Sequence, residues 1–236
     1  MNNYNDYYQS NAYNYEYISL SEYVNKTVLW MFFGLLLTFA VAYFGYASAM
    51  ILYVFYYPGI YYALLIGEVI AVMILSARLH QMSISTAKIL FIVYAIINGI
   101  SFSALFLTFN AGTLIYAFGL TSMFFGIMGL YGFTTKRDLS GIRPILFAGL
   151  IFLLIVSVLS IFLNFSAYET FICIIGIAVF LALTAYDMQK VKAFHSVYAY
   201  DAEMANKSAI YAALQLYLDF INIFLYILRF LRNKRD

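Results

Sequence analysis

Asp219 lies in the middle of an apolar run from Ala209 to Leu231, and Asp187 closes the run before it, Thr170 to Asp187. A carboxylate at membrane depth costs roughly 2.5–3.5 kcal/mol even on lenient insertion scales, so a chain keeps one only where it faces a protein interior, a water path or a partner. Two such acids brought together in a low dielectric cannot both ionise cheaply, and they share a proton. Deprotonated, Asp187 and Asp219 offer oxygen ligands for a transient Ca²⁺. This is proton-linked cation chemistry. No nucleophile–base arrangement, phosphate loop or metalloprotease motif accompanies it, and Ser101 and Ser103 have no histidine near them in sequence, so no enzyme is expected.

Gln215, Asp219, Asn222 and Tyr226 follow at i, i+4, i+7 and i+11 and form one polar stripe on an otherwise apolar helix. Such a stripe belongs in a bundle, turned toward a polar interior. A hydrogen-bond network that merely holds helices together is the plainer alternative, but an acid is a costly choice for that role. Asp187 alone reads equally well as an interfacial acid paired with Lys190, three residues on. Glu68, in mid-run, is a further intramembrane acid able to line the same path. Arg78 ends that run, able either to reach a carboxylate or to snorkel to headgroups. Gly126, Gly129 and Gly132 read as close helix packing.

The elements that must position these groups are membrane spans. The chain has 236 residues, 65% hydrophobic and only 10% charged, with a mean hydropathy of +0.86; soluble domains carry about 25% charged residues. Apolar runs of spanning length occur at Thr27–Ala49, Ile60–Ala77, Ala87–Phe109, Thr113–Phe133, Arg143–Asn164, Thr170–Asp187 and Ala209–Leu231. The expectation is an all-α polytopic membrane protein with seven transmembrane helices. Residues 1–22 form a Tyr/Asn-rich tail without core-forming aliphatics, expected to be disordered, and 23–236 form a single transmembrane domain. A helix is expected to start at Ser21, with Glu22 in its first turn.

Basic residues alternate between connections. Lys26 precedes the first run; Arg78 and Lys88, then Lys136, Arg137 and Arg143, then Lys190, Lys192 and Lys207 mark three later loops, and the intervening loops carry none. The positive-inside rule places the N-terminus and these loops in the cytoplasm. Arg229, Arg232, Lys234 and Arg235 then fall on the outer side if the last run crosses, which leaves crossing and re-entry both open. The tail lacks a basic n-region and a cleavage motif, so the first run is expected to be retained. Net charge is +2 without a basic run, which excludes a nucleic-acid partner. Cys173 stands alone, and His80 and His195 lack metal-ligand spacing; no cofactor is expected.

Four stretches carry a resemblance: Asn98-Gly99-Ile100-Ser101, Thr135 to Ser140, Ala185-Tyr186-Asp187, and Leu216 to Asn222. Together they resemble the Bax inhibitor-1 family of small polytopic membrane proteins, from about Tyr23 onward. The resemblance implies six helices surrounding a central seventh that carries Asp219. It also implies a pH-sensitive Ca²⁺ leak with a di-aspartyl pair at Asp187 and Asp219, contacted in the closed state by an arginine at Arg78. Two departures stand out: the connection Met188 to Ser208 looks long, and Arg143-Pro144 opens the fifth run where a flexible segment is expected.

The leading expectation is a Ca²⁺ leak channel of a bacterial plasma membrane, closed at low pH by the shared proton. The alternative is an interaction protein that restrains a membrane partner such as a quality-control protease. The Ile/Tyr/Asn/Lys usage points to a bacterial source.

Overall fold

The computed structural model describes residues 17–57, 59–60, 63–64, 66–67, 70–71, 73–74, 81–160, 163 and 166–233. Among the described residues every regular element is helical, and six helical segments are long and apolar enough to cross a membrane. In chain order the helices are α1 (Leu20–Ala47), α2 (Met50–Tyr56), α3 (Ile84–Phe102), α4 (Leu105–Thr108), α5 (Ala111–Thr134), α6 (Arg143–Leu159), α7 (Glu169–Tyr198) and α8 (Ala202–Asn233). Much of the second apolar run, Ile60–Ala77, lies outside the described residues, as do residues 1–16 of the Tyr/Asn tail.

Polar side chains set the helix starts by giving an oxygen to an otherwise orphaned N–H. Ser19 accepts from Glu22 N at 3.2 Å, Ser83 from Thr86 N at 3.1 Å, Asn110 from Thr113 N at 2.8 Å and Asp201 from Met204 N at 3.0 Å. The first helix therefore starts at Leu20, ahead of the expected Ser21, because Ser19 is the residue that caps it. Pro144 sits in the first turn of α6, where its missing N–H costs nothing. The Arg143-Pro144 pair thus starts a helix directly, and the flexible segment expected there is absent.

The long connection expected between Met188 and Ser208 is corrected too. Helix α7 continues through Tyr198 and α8 begins at Ala202, leaving a corner of Ala199 to Asp201. Lys190, Lys192 and Lys207 are helical residues. A span's apolar stretch ends at the membrane surface, whereas backbone hydrogen bonding continues as far as helix-forming residues allow.

Helix α8 runs antiparallel to α7 along its whole length. Its far end meets the start of α7, where Arg232 Nη2 lies 2.7 Å from Glu169 Oε1 and Asn233 Nδ2 donates to Thr170 Oγ1 at 3.4 Å. The last run is therefore one continuous helix of 32 residues, about 48 Å at 1.5 Å per residue, and it does not turn back midway. Glu169 offsets part of the basic end that conflicts with the positive-inside pattern.

Burial divides the helices sharply. Inside the protein, 72% of the α8 window is buried, against 11–39% for the other five spans. Helix α8 packs on α7, α1, α5 and α3. Its first half presents Ala205, Ala209, Ala212 and Ala213, all buried, which let neighbouring backbones approach. From Tyr217 onward it fills the wider space with rings: Tyr217 against Phe91 and Tyr94 at 5.9 and 5.7 Å, Phe220 against Phe118 and Phe125 at 5.4 and 5.5 Å, and Phe224 against Phe39 at 5.4 Å. These separations suit edge-to-face pairs. The Thr38 hydroxyl ties the set together, reaching Tyr217 Oη at 2.6 Å and donating to Ala95 O at 3.0 Å.

Candidate functional site

Asp187 is the nineteenth residue of α7 and so sits well inside a helix. Two devices fix its height. First, Gly132 of α5 meets α7 so closely that a Cβ there would lie 2.0 Å from Ala185 O; only glycine permits that crossing, two residues before Asp187. Second, Gln189 accepts from Leu139 N at 2.9 Å and donates to Arg137 O at 2.8 Å, while Lys192 Nζ donates to Phe133 O. The Thr135–Ser140 stretch is thereby fastened to the helix that carries the acid. Within it, Asp138 accepts from Ser140 N and Ser140 Oγ, both at 2.8 Å. Those two bonds hold the Asp138 carboxyl below the usual carboxylate range, and the loop keeps its shape. The other glycines read as close packing behave differently: nothing lies within 4 Å of a Cβ at Gly126 or Gly129.

Asp219 is placed by the packing of α8 described above and is only 4% exposed. Asp187, Asp219, Gln215 and Asn222 line one cavity of about 670 Å³. Lys190, Arg143, Tyr94 and Tyr186 contribute its other polar groups, and Leu146, Phe147, Leu150 and Phe180 much of its apolar wall. The two carboxylates are close enough for each other's charge to be felt. Lys190 Nζ lies 4.0 Å from Asp187 Oδ1 and donates to Gln215 Oε1 at 3.1 Å, one turn of α8 before Asp219. Thr184 stands beside Asp219 but donates to Phe180 O at 2.8 Å. Asp219 Oδ2 remains the buried side-chain oxygen with no hydrogen-bond partner among the described residues.

The stripe read from spacing holds for three of its four members. Asn222 lines the cavity while its Nδ2 donates to Leu218 O at 2.8 Å. Tyr226, a further turn along, packs on Gly176, where a Cβ would come within 2.6 Å of its ring, and on Phe180 with ring centroids 6.0 Å apart. Glu68 and Arg78 lie outside the described residues. Sequence reading placed Lys190 in a basic loop, with a pairing to Asp187 as one option, and Arg143 where a basic loop meets the fifth run; both line the cavity. The signal for Lys190 was its position one turn after Asp187, but its reach to Gln215 needed the α7–α8 packing.

The family model described as "Inhibitor of apoptosis-promoting Bax1" matches residues 20–236. The chain belongs to the Bax inhibitor-1 family. Among the proteins it is similar to, the inner membrane protein YbhL of Escherichia coli (strain K12) is 37% identical over 218 residues, covering 92% of this chain and 93% of YbhL. A protein of Deinococcus radiodurans is 33% identical over 219 residues, 91% of each chain. A membrane protein of Streptococcus pyogenes serotype M3 is 33% identical over 172 residues, 73% of this chain and 74% of its own. With six spanning-length apolar helices among the described residues, this Bax inhibitor-1 family member is an integral membrane protein.

Proposed function

We propose that this protein is a pH-sensitive Ca²⁺ leak channel, gated by a proton shared between Asp187 and Asp219. The observation that carries the reading is the buried Asp219 Oδ2, without a hydrogen-bond partner among the described residues, in a cavity that also receives Asp187. A buried carboxylate oxygen without a donor is costly, and two occupants relieve it: a proton or a cation. At low pH the proton bridges the acids, holds α7 to α8 and keeps the path closed. As pH rises the proton leaves, the two like charges repel across the helix pair, and the site takes a hard cation from oxygen ligands. Two carboxylates with the Gln215 and Asn222 amides make a weak, passing site suited to conduction, since an ion that binds tightly does not leave.

Six helices arranged around α8 are part of this reading, supported by the burial of α8 beside its more exposed neighbours. An N-terminus in the cytoplasm of a bacterial cell, with the plasma membrane as the location, is supported by the basic residues of the α5–α6 connection and by Lys190, Lys192 and Lys207 on the helix ends that meet at the α7–α8 corner.

The test is Ca²⁺ flux from purified protein in proteoliposomes, from about pH 5 to about pH 8. Flux should rise with pH. Folded protein that carries no ion at any pH, together with a membrane protein that co-purifies with it, would favour the interaction reading instead.

A further inference from the structure

We infer that Lys190 is a tethered cation of the carboxylate site, occupying the place a permeant ion must take and leaving before that ion binds. This rests on the channel reading above. The charged groups facing the cavity among the described residues are Asp187 and Lys190 from α7, Asp219 from α8 and Arg143 from α6. Of these two cations, Lys190 is the one whose side chain reaches the site's oxygens. Its ammonium lies 4.0 Å from Asp187 Oδ1 and 3.1 Å from Gln215 Oε1, so it uses one charged and one neutral oxygen that would otherwise ligate a divalent ion. Asp219 Oδ2 stays without a hydrogen-bond partner among the described residues. The ammonium therefore satisfies the site incompletely.

Lys190 also has a hold that does not depend on the carboxylate. In the same position its Nζ lies 5.3 and 5.7 Å from the rings of Phe194 on α7 and Tyr211 on α8, within the range at which a ring face attracts an ammonium. Lysine's flexible stem and compact charge let it keep the rings while it gives up the oxygens. A plain i,i+3 pair on a helix surface would leave divalent affinity unchanged on removal. A tethered competitor would not, because its charge and an incoming ion's exclude each other at the same oxygens.

The full chain in detergent micelles, titrated with Tb³⁺ alone and then displaced with Ca²⁺, separates these cases. Tyr94 and Tyr186 line the cavity and serve as the luminescence donors. Lys190→Gln should bind Tb³⁺ about tenfold more tightly than the natural chain, and Lys190→Arg should bind no more tightly. Lys190→Met, which keeps an apolar stem against the rings, provides the same reading if the glutamine variant misfolds. Unchanged or weaker binding in the neutral variants, with binding abolished by Asp219→Asn, overturns the tethered-cation inference and leaves the carboxylate site standing. Binding that survives Asp219→Asn sinks the site itself, and this inference with it.

Discussion

Replacing Asp219 with asparagine is expected to flatten the pH dependence of Ca²⁺ flux and to stabilise the folded protein at alkaline pH. The two effects share one cause. Asparagine imitates the protonated acid in shape and polarity and cannot ionise. At low pH, where the shared proton is present, the exchange replaces one neutral group by another and changes stability little. At high pH the natural site holds an ionised carboxylate whose Oδ2 has no partner among the described residues, and the amide removes that charge. The expected gain is about 1–3 kcal/mol, the scale of an unmatched buried polar atom, and it shrinks as pH falls. Lys190 keeps its partner Asp187 in the variant, so no new unpaired cation opposes the gain. Chemical denaturation at two pH values measures the stability difference, and flux in proteoliposomes measures the gate. A variant that is less stable at high pH than at low pH, relative to the natural chain, would contradict this account.

The second large effect lies away from the carboxylates. Gly132→Ala is expected to destabilise the fold by about 3 kcal/mol, the upper range for overpacking, and to disturb the gate with it. The added methyl would stand 2.0 Å from Ala185 O and 2.7 Å from Ala185 Cα. Those atoms are backbone, so relief requires α5 or α7 to move as a whole. Asp187 is two residues from the contact, and the displacement carries it out of register with Asp219. Gly126→Ala and Gly129→Ala are the controls. Neither added methyl meets anything within 4 Å, and alanine is the better helix former, so both should be neutral or slightly stabilising. Denaturant midpoints of the three variants, measured together, check the contrast. Equal losses in all three would refute close packing at Gly132 as the cause.

How much of this was readable beforehand depended on the kind of signal. Membrane spans and the intramembrane acids follow from composition, because apolar length and buried charge are local properties of the chain. The α8 stripe was readable in part: spacing puts Gln215, Asp219, Asn222 and Tyr226 on one face, but Tyr226 was drawn off by the opening above Gly176. Helix ends were less legible. The polar residues from Met188 to Ser208 looked like a loop, yet they continue two helices around a short corner. The three glycines of α5 looked alike, and only the partner helix distinguishes Gly132 from Gly126 and Gly129. Lys190 and Arg143 were hidden for the same reason: contact across helices depends on rotation and depth, which a single sequence does not encode locally.

The proposed gate is one proton, shared by Asp187 and Asp219 and lost as the path opens. Infrared difference spectroscopy of the reconstituted protein, with ¹³C-labelled aspartate and stepped from about pH 5 to about pH 8, observes it directly. The account predicts a protonated aspartate carboxyl band that disappears with rising pH at the same midpoint as the rise in Ca²⁺ flux, and that is missing from Asp219→Asn. A band that persists in that variant, or a flux that rises with no carboxyl band to lose, would contradict it.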